Sequence, residues 1–225
     1  MIGRHPEPRL RPDQLTIAWQ SVSLLLDYPD QRLLEQTTLI RNASAELPDE
    51  VGRPLREFLD YLQSRPPEEL AAEYVRTFDH QKKCCLFLTY FTSGDTRKRG
   101  IALLRFKQTY LRSGLVLGPD ELPDHLSVVL EYAATTDQRL GWKLLLDYRA
   151  GFELLRLALA EASSPWALVA DALRATLPPL RGDDWEAVVQ LAEQGPPEED
   201  VGLEAFAPPE YMPVGSDQYG RGGYR

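Results

Sequence analysis

Cysteine is nearly absent: 225 residues hold two, and they are neighbours, Cys84 and Cys85. Adjacent cysteines rarely meet disulfide geometry without distorting the backbone. No disulfide framework is expected, and a reducing compartment suits the chain. Histidine is scarce too, with three in all. His80 and Cys84 sit four apart and share a helical face, but a closed zinc site needs four ligands, so no metal site is expected. No run of about 18 apolar residues occurs, so no helix should span a membrane. The opening MIGRHPEPRLRPDQL lacks the apolar centre of a signal peptide, which points to the cytoplasm. Positive charge is the minority sign, with 25 Lys and Arg against 34 Asp and Glu, a net charge of -9. That excludes a general nucleic-acid binder, which needs a basic surface to neutralise phosphates. A basic partner fits better. No nucleophile–base–orienter set can be assembled, which leaves two classes: a binding module that offers a groove between helices to an amphipathic helix, or an enzyme whose site a single sequence does not show.

What is present is helical spacing. At 43% hydrophobic the chain has material for a substantial core, and its length suits one large domain or one domain with tails. Thr16 to Asp27 and Gln31 to Ala45 repeat apolar residues at helical spacing. Pro48-Asp49-Glu50 and Pro66-Pro67-Glu68-Glu69 place proline and acids where helix N-termini accept them. CCLFLTYF, residues 84 to 91, has appreciable β-propensity but no second strand to pair with, and reads as a buried helix. Pro123 starts a helix, Gly141 to Ala162 reads as one long apolar helix, Pro165 opens another, and Asp183-Asp184 begins the last. The expectation is an all-α, single-domain bundle of about nine to eleven helices. Its parts are a flexible N-terminal segment at 1–14, a helical domain at 15–194 and a flexible Pro/Gly-rich acidic tail at 195–225. The tail's composition cannot offset its ordering entropy by burial, although Leu203, Phe206, Tyr211 and Met212 would let it visit a groove.

One basic segment stands out in this acidic chain: FTSGDTRKRGIALLRFKQTY, residues 91 to 110. It lacks the spaced glycines of a phosphate loop, and no strand precedes it. Asp95 or Thr96 is a natural N-cap. On a helical wheel Lys98, Arg105 and Arg112 form a stripe about 40° wide. Ile101, Leu103, Leu104, Phe106, Tyr110, Leu111 and Leu115 fill a broad apolar arc. The helix is therefore expected to be mostly buried, and Leu104→Asp to unfold the domain. The cationic stripe either is solvated or pairs with acids elsewhere. Further on, ELPDHL puts Asp124 and His125 in the first turn of a helix. They serve either as local helix-start chemistry or as polar contacts in a binding cleft.

GDTRKRG, then LLRFKQTY, then ELPDHL, with an early LLLDYPD, resembles the NarJ-type chaperones, the delta subunit or molybdenum cofactor assembly chaperone of respiratory nitrate reductase. The resembling stretch runs through residues 74 to 115 and 121 to 134. It implies an all-helical fold of the redox-enzyme maturation chaperone superfamily and no catalysis. The implied partner is the apo catalytic (alpha) subunit, held through its N-terminal segment until the molybdenum cofactor is inserted and kept from early membrane docking. Molybdenum cofactor biosynthesis proteins are further implied partners, and no cofactor is bound permanently. By resemblance, partner contacts fall on Pro123, Asp124, His125 and Leu126, with Glu121, and on Asp95, Arg97, Arg99 and Gly100. After such an assignment Asp124→Ala with His125→Ala should leave the fold intact and weaken partner binding. Alternatives are a chaperone of a sulfoxide or N-oxide reductase, or a nucleotide-binding protein that uses the basic loop.

Overall fold

The computed structural model describes residues 6–93, 97–118, 121–180 and 182–194. Among them lie eleven α-helices, one 3-10 turn and no strand. The order is α1 (Pro12–Leu25), α2 (Gln31–Ser44), α3 (Asp49–Gln63), α4 (Pro67–Phe78), the turn Lys82–Cys84, α5 (Tyr90–Ser93), α6 (Arg97–Arg112), α7 (Leu126–Thr135), α8 (Gln138–Asp147), α9 (Arg149–Glu161), α10 (Trp166–Thr176) and α11 (Asp183–Gln194). Among the described residues no helix is long and apolar enough to cross a membrane.

Local chemistry explains most helix starts. Asp30 accepts a hydrogen bond from the Leu33 N–H at 2.9 Å, and Asp137 from the Leu140 N–H at 2.8 Å. Each satisfies an amide that has no partner inside its helix. Pro12 and Pro67 occupy first helical positions, where the missing N–H costs nothing. Helix α1 opens ahead of residue 15, and Trp142 Nε1 donates to the Pro6 carbonyl at 2.9 Å just before it.

The core gathers around α1, which packs on α7 and α10, while α10 packs on α3. Trp19 is fully buried, donates to Thr176 Oγ1 at 3.0 Å and stacks on Trp142. Trp166 Nε1 donates to the Leu25 carbonyl at 3.1 Å, and Tyr74 Oη to the Leu26 carbonyl at 3.1 Å. These aromatics bury large apolar bodies and still satisfy their polar tips. Helices α7 and α8 approach so closely that a Cβ on Gly141 would lie 2.2 Å from Ala133 Cβ.

Four expectations change. CCLFLTYF is not a helix: after the 3-10 turn the chain runs through a non-helical stretch to the short α5, with an isolated antiparallel bridge between Phe87 and His125. The stretch 141–162 is two helices, broken at Tyr148 (φ −110°, ψ 20°). Helix α7 starts at Leu126 with His125 at its N-cap, three residues after Pro123. Helix α6 is not mostly buried. Among its described side chains only Ala102, Phe106 and Tyr110 are buried, one line at four-residue spacing. Ile101, Leu104 and Leu111 are 55%, 54% and 57% exposed. The cap at Asp95 or Thr96 and the tail at 195–225 lie outside the described residues.

Candidate functional site

The non-helical run before α5 and the loop before α7 are sewn together through the backbone. Leu88 N–H donates to the Asp124 carbonyl at 3.0 Å, and Leu126 N–H to the Leu86 carbonyl at 2.9 Å. Glycine makes room for this pairing from behind: a Cβ on Gly151 of α9 would lie 2.8 Å from the Leu88 carbonyl oxygen.

The pairing brings Asp124 inside, with no exposed surface. Its Oδ2 accepts from Thr89 Oγ1 at 2.5 Å and from the Thr89 N–H at 3.3 Å. Arg99 of α6 supplies the countercharge, with Nη2 at 3.8 Å, and its Nε donates to Thr89 Oγ1 at 3.3 Å. The Arg99 guanidinium lies over the Phe87 ring at 5.3 Å, and Phe87 meets the His125 ring edge-on at 5.3 Å. Tyr110 Oη donates to the Pro123 carbonyl at 2.6 Å and ties α6 to the same loop. A buried carboxylate persists only when paired and hydrogen-bonded, and this knot meets both conditions on Oδ2. Oδ1 is buried with no hydrogen-bond partner among the described residues. Burial also pushes the Cys85 thiol and the Tyr110 hydroxyl up from their ordinary values.

So Arg99, Pro123, Asp124, His125 and Leu126 do come together, but as packing. Pro123, Asp124 and Leu126 are buried. Asp124 therefore belongs to the fold, against the expectation that replacing it spares stability. Glu121 is exposed and braces its own loop by accepting the Gly118 N–H at 2.7 Å. Gly100 has open space around it: a Cβ there would meet nothing within 4 Å. Arg97 opens α6, while its side chain and Asp95 fall outside the described residues.

The knot borders a polar hollow of about 200 Å³ between α1, α2 and α7. His125 is the link. Its Nδ1 shares a hydrogen bond with Ser127 Oγ at 2.6 Å, and Ser127 lines the hollow. Ser23 Oγ of α1 donates to the Ser127 carbonyl at 2.8 Å and fixes α1 to α7 there. Asp27, Asp30 and Glu131 line the walls against one guanidinium, Arg32. Gln20 also lines it, and its Oε1 is buried without a partner among the described residues. Burial lowers the His125 pKa below its ordinary value, opposed by the charges of Asp27 and Asp124. The hollow offers acceptors and negative charge, the complement of an ammonium, a guanidinium or amide N–H groups. Gln20 and Glu131 escaped sequence reasoning. The usable signal was LLLDYPD, which places Asp27 and Asp30 at the end of one helix and the start of the next. Among the described residues no group of three His, Cys, Asp or Glu side chains is placed to hold a metal ion.

A family model described as nitrate reductase delta subunit matches residues 44–170, a span that contains both the knot and α6. Among named relatives, the nitrate reductase-like protein NarX of Mycobacterium tuberculosis is 40% identical over 156 residues. That match takes in 69% of this chain and 23% of NarX, so the chain spans under a quarter of that relative. The "Probable nitrate reductase molybdenum cofactor assembly chaperone NarJ" of Bacillus subtilis is 36% identical over 172 residues, 72% of this chain and 88% of that one. NarJ of Escherichia coli K12 is 34% identical, covering 68% of this chain and 66% of its own length. A solved structure from Archaeoglobus fulgidus, named for redox enzyme maturation, superposes with a TM-score of 0.54 at 26% identity, over 78% of this chain and 96% of that one.

Proposed function

The chain belongs to the nitrate reductase delta subunit family, and we propose that it serves as a maturation chaperone of nitrate reductase. The observation that carries this reading is the match to Bacillus subtilis NarJ across 88% of that protein, whose name states molybdenum cofactor assembly. In this role it holds the apo catalytic subunit in the cytoplasm, keeps it open for insertion of the molybdenum cofactor, delays its membrane docking and is absent from the finished enzyme. It performs no chemistry itself and keeps no cofactor.

The contact with the client is its N-terminal segment, and basic residues of that segment fit the acidic hollow beside His125. A net charge of -9 steers such a segment toward the chain, and Asp27, Asp30 and Glu131 supply local complementarity. The buried knot at Asp124 holds the rim of that hollow in place through His125 and Ser127. Partner recognition thus depends on the PDHL segment through its support rather than through Asp124 itself.

Titration calorimetry with a synthetic peptide from the N-terminus of the cognate catalytic subunit tests this. Saturable heat with a dissociation constant of about 10 μM or tighter is expected. Asp27→Asn with Glu131→Gln should weaken it about fivefold, the effect of losing roughly 1 kcal/mol of exposed charge pairing. No heat at tens of micromolar protein and peptide, a concentration set by the affinity above, would remove segment holding. Tighter binding of the matching peptide from a sulfoxide or N-oxide reductase would reassign the client.

A further inference from the structure

The outer face of α6 presents the reverse of the acidic hollow. Lys98, Arg105 and Arg112, the stripe seen on the helical wheel, line a cleft of about 880 Å³ between α6 and α8. Lys143 of α8 lines it as well, and among the described lining residues the single carboxylate is Asp147, which pairs with Lys143 in the next turn. Four cations therefore face one acid that is already engaged. Among the described residues no carboxylate pairs with Lys98, Arg105 or Arg112. The cleft is also apolar in part: Ile101, Leu140 and Leu144 line it, and exposed Leu104 lies on the same helix. An occupant must be acidic, must bring apolar side chains, and must reach this side of the fold.

The chain contains such a segment. Residues 198–212, EEDVGLEAFAPPEYM, hold five acids and no Lys, Arg or His, and carry Val201, Leu203, Phe206, Tyr211 and Met212. The geometry brings its starting point close. Leu191 and Ala192, in the last turn of α11, share a hollow with Phe91 of α5. The next residue of α5, Thr92, lines the cationic cleft. The last turn of α11 and the cationic cleft thus meet neighbouring residues of α5, and fifteen residues reach up to roughly 50 Å when extended.

We propose that residues 198–212 of this chain dock in the cationic cleft between α6 and α8. Opposite charge sets the register, and the aliphatic and aromatic side chains cover the apolar surface that Ile101, Leu140 and Leu144 leave open. The chain thus shields a basic surface with its own acidic segment, and any competitor for that cleft has to be acidic too. The proposal stands on this geometry alone and is independent of the nitrate reductase reading.

Zero-length carbodiimide crosslinking of the full chain, followed by peptide mass spectrometry, tests it. Such crosslinks join only lysines and carboxylates already in contact. The expected links run from Lys98 or Lys143 to Glu198, Glu199, Asp200, Glu204 or Glu210. In an equal mixture of ¹⁵N-labelled and unlabelled chains those links stay within one isotope. Arg105→Glu with Arg112→Glu reverses two exposed charges and should cut their yield about tenfold, with the melting curve unchanged. Lys107 is the internal control: it lies on α6 but lines a different hollow, with Tyr110 and Leu117. Acidic-segment links to Lys107 in preference to Lys98 and Lys143 overturn the proposal. So do mixed-isotope links, an unaltered yield in the double variant, and no link to 198–212 at all.

Discussion

Arg99 and Arg105 stand on one helix, fewer than two turns apart, and meet opposite surroundings. Arg99 is pulled in: it faces Asp124, reaches Thr89 and lies over Phe87. Arg105 faces an open cleft beside Lys98 and Arg112. The helix does not make that difference. A loop does, by pairing with the run before α5 and carrying a carboxylate to one side of α6, while nothing described covers the other side. Equal charges on one helix thus do different work. One is spent on a buried knot that fixes the fold, and the others shape the surface. Exposed charge contributes little to stability, whereas a buried charge stripped of its partner is costly.

The harshest test of this contrast removes what both faces share. Phe106 is fully buried on the covered line of α6, against Tyr110 and Tyr148. Phe106→Ala should cost about 3–5 kcal/mol and lower the melting temperature by about 10 °C or more, measured by circular dichroism. A small shift would mean that α6 is not seated on this line.

Next comes the contrast itself. Asp124→Ala takes a buried carboxylate away from Arg99 and leaves the Thr89 N–H and hydroxyl without that acceptor. A loss of about 2–4 kcal/mol is expected, against less than about 0.5 kcal/mol for Arg105→Ala. Denaturant titration of both variants measures the gap. Equal losses would erase the distinction between the two faces of α6.

A weaker effect comes from His125, at the rim of the knot. Burial lowers its pKa in the folded chain. The unfolded chain then binds the proton more readily than the folded one as the pH drops below the ordinary value of about 6.5. Stability is therefore full above that value and declines as the pH falls toward the depressed folded pKa. The melting temperature should drop more between pH 7.5 and 5.5 in the wild type than in His125→Gln, read as paired thermal melts at each pH. Parallel profiles would show that His125 titrates as it does in the unfolded chain.

The helical class and most helix starts were legible because prolines and capping acids act locally. Pro48, Pro66 and Pro165 precede helices where their spacing indicated. The knot was not legible. CCLFLTYF pairs with residues 124–126, which form no strand, so no β pattern announces the partner. Asp124 read as helix-start chemistry because an acid after proline fits that role, yet the N-cap is His125 and the carboxylate turns inward. The family motifs located both regions, but a motif does not say which of its residues is buried. Nor did the acidic hollow show itself, since Gln20, Asp27 and Glu131 meet across helices that are far apart in sequence.

The smallest expected effect is the most telling about α6. Apolar residues on three sides of that helix suggested an arc sunk in the core, and with it a lethal Leu104→Asp. Leu104 is 54% exposed, and at 100° per residue it stands across the helix from the covered line of Ala102, Phe106 and Tyr110. A carboxylate there keeps its hydration, so the desolvation penalty that makes buried charge intolerable does not arise. Leu104→Asp should shift stability by no more than about 0.5 kcal/mol. Leu104 is also not among the residues that line the cationic cleft, so the crosslink yield from Lys98 should stay as in the wild type. Near-wild-type melting with an unaltered yield confirms that Leu104 is surface and stands outside the cleft. Collapse of the cooperative melt would return Leu104 to the core.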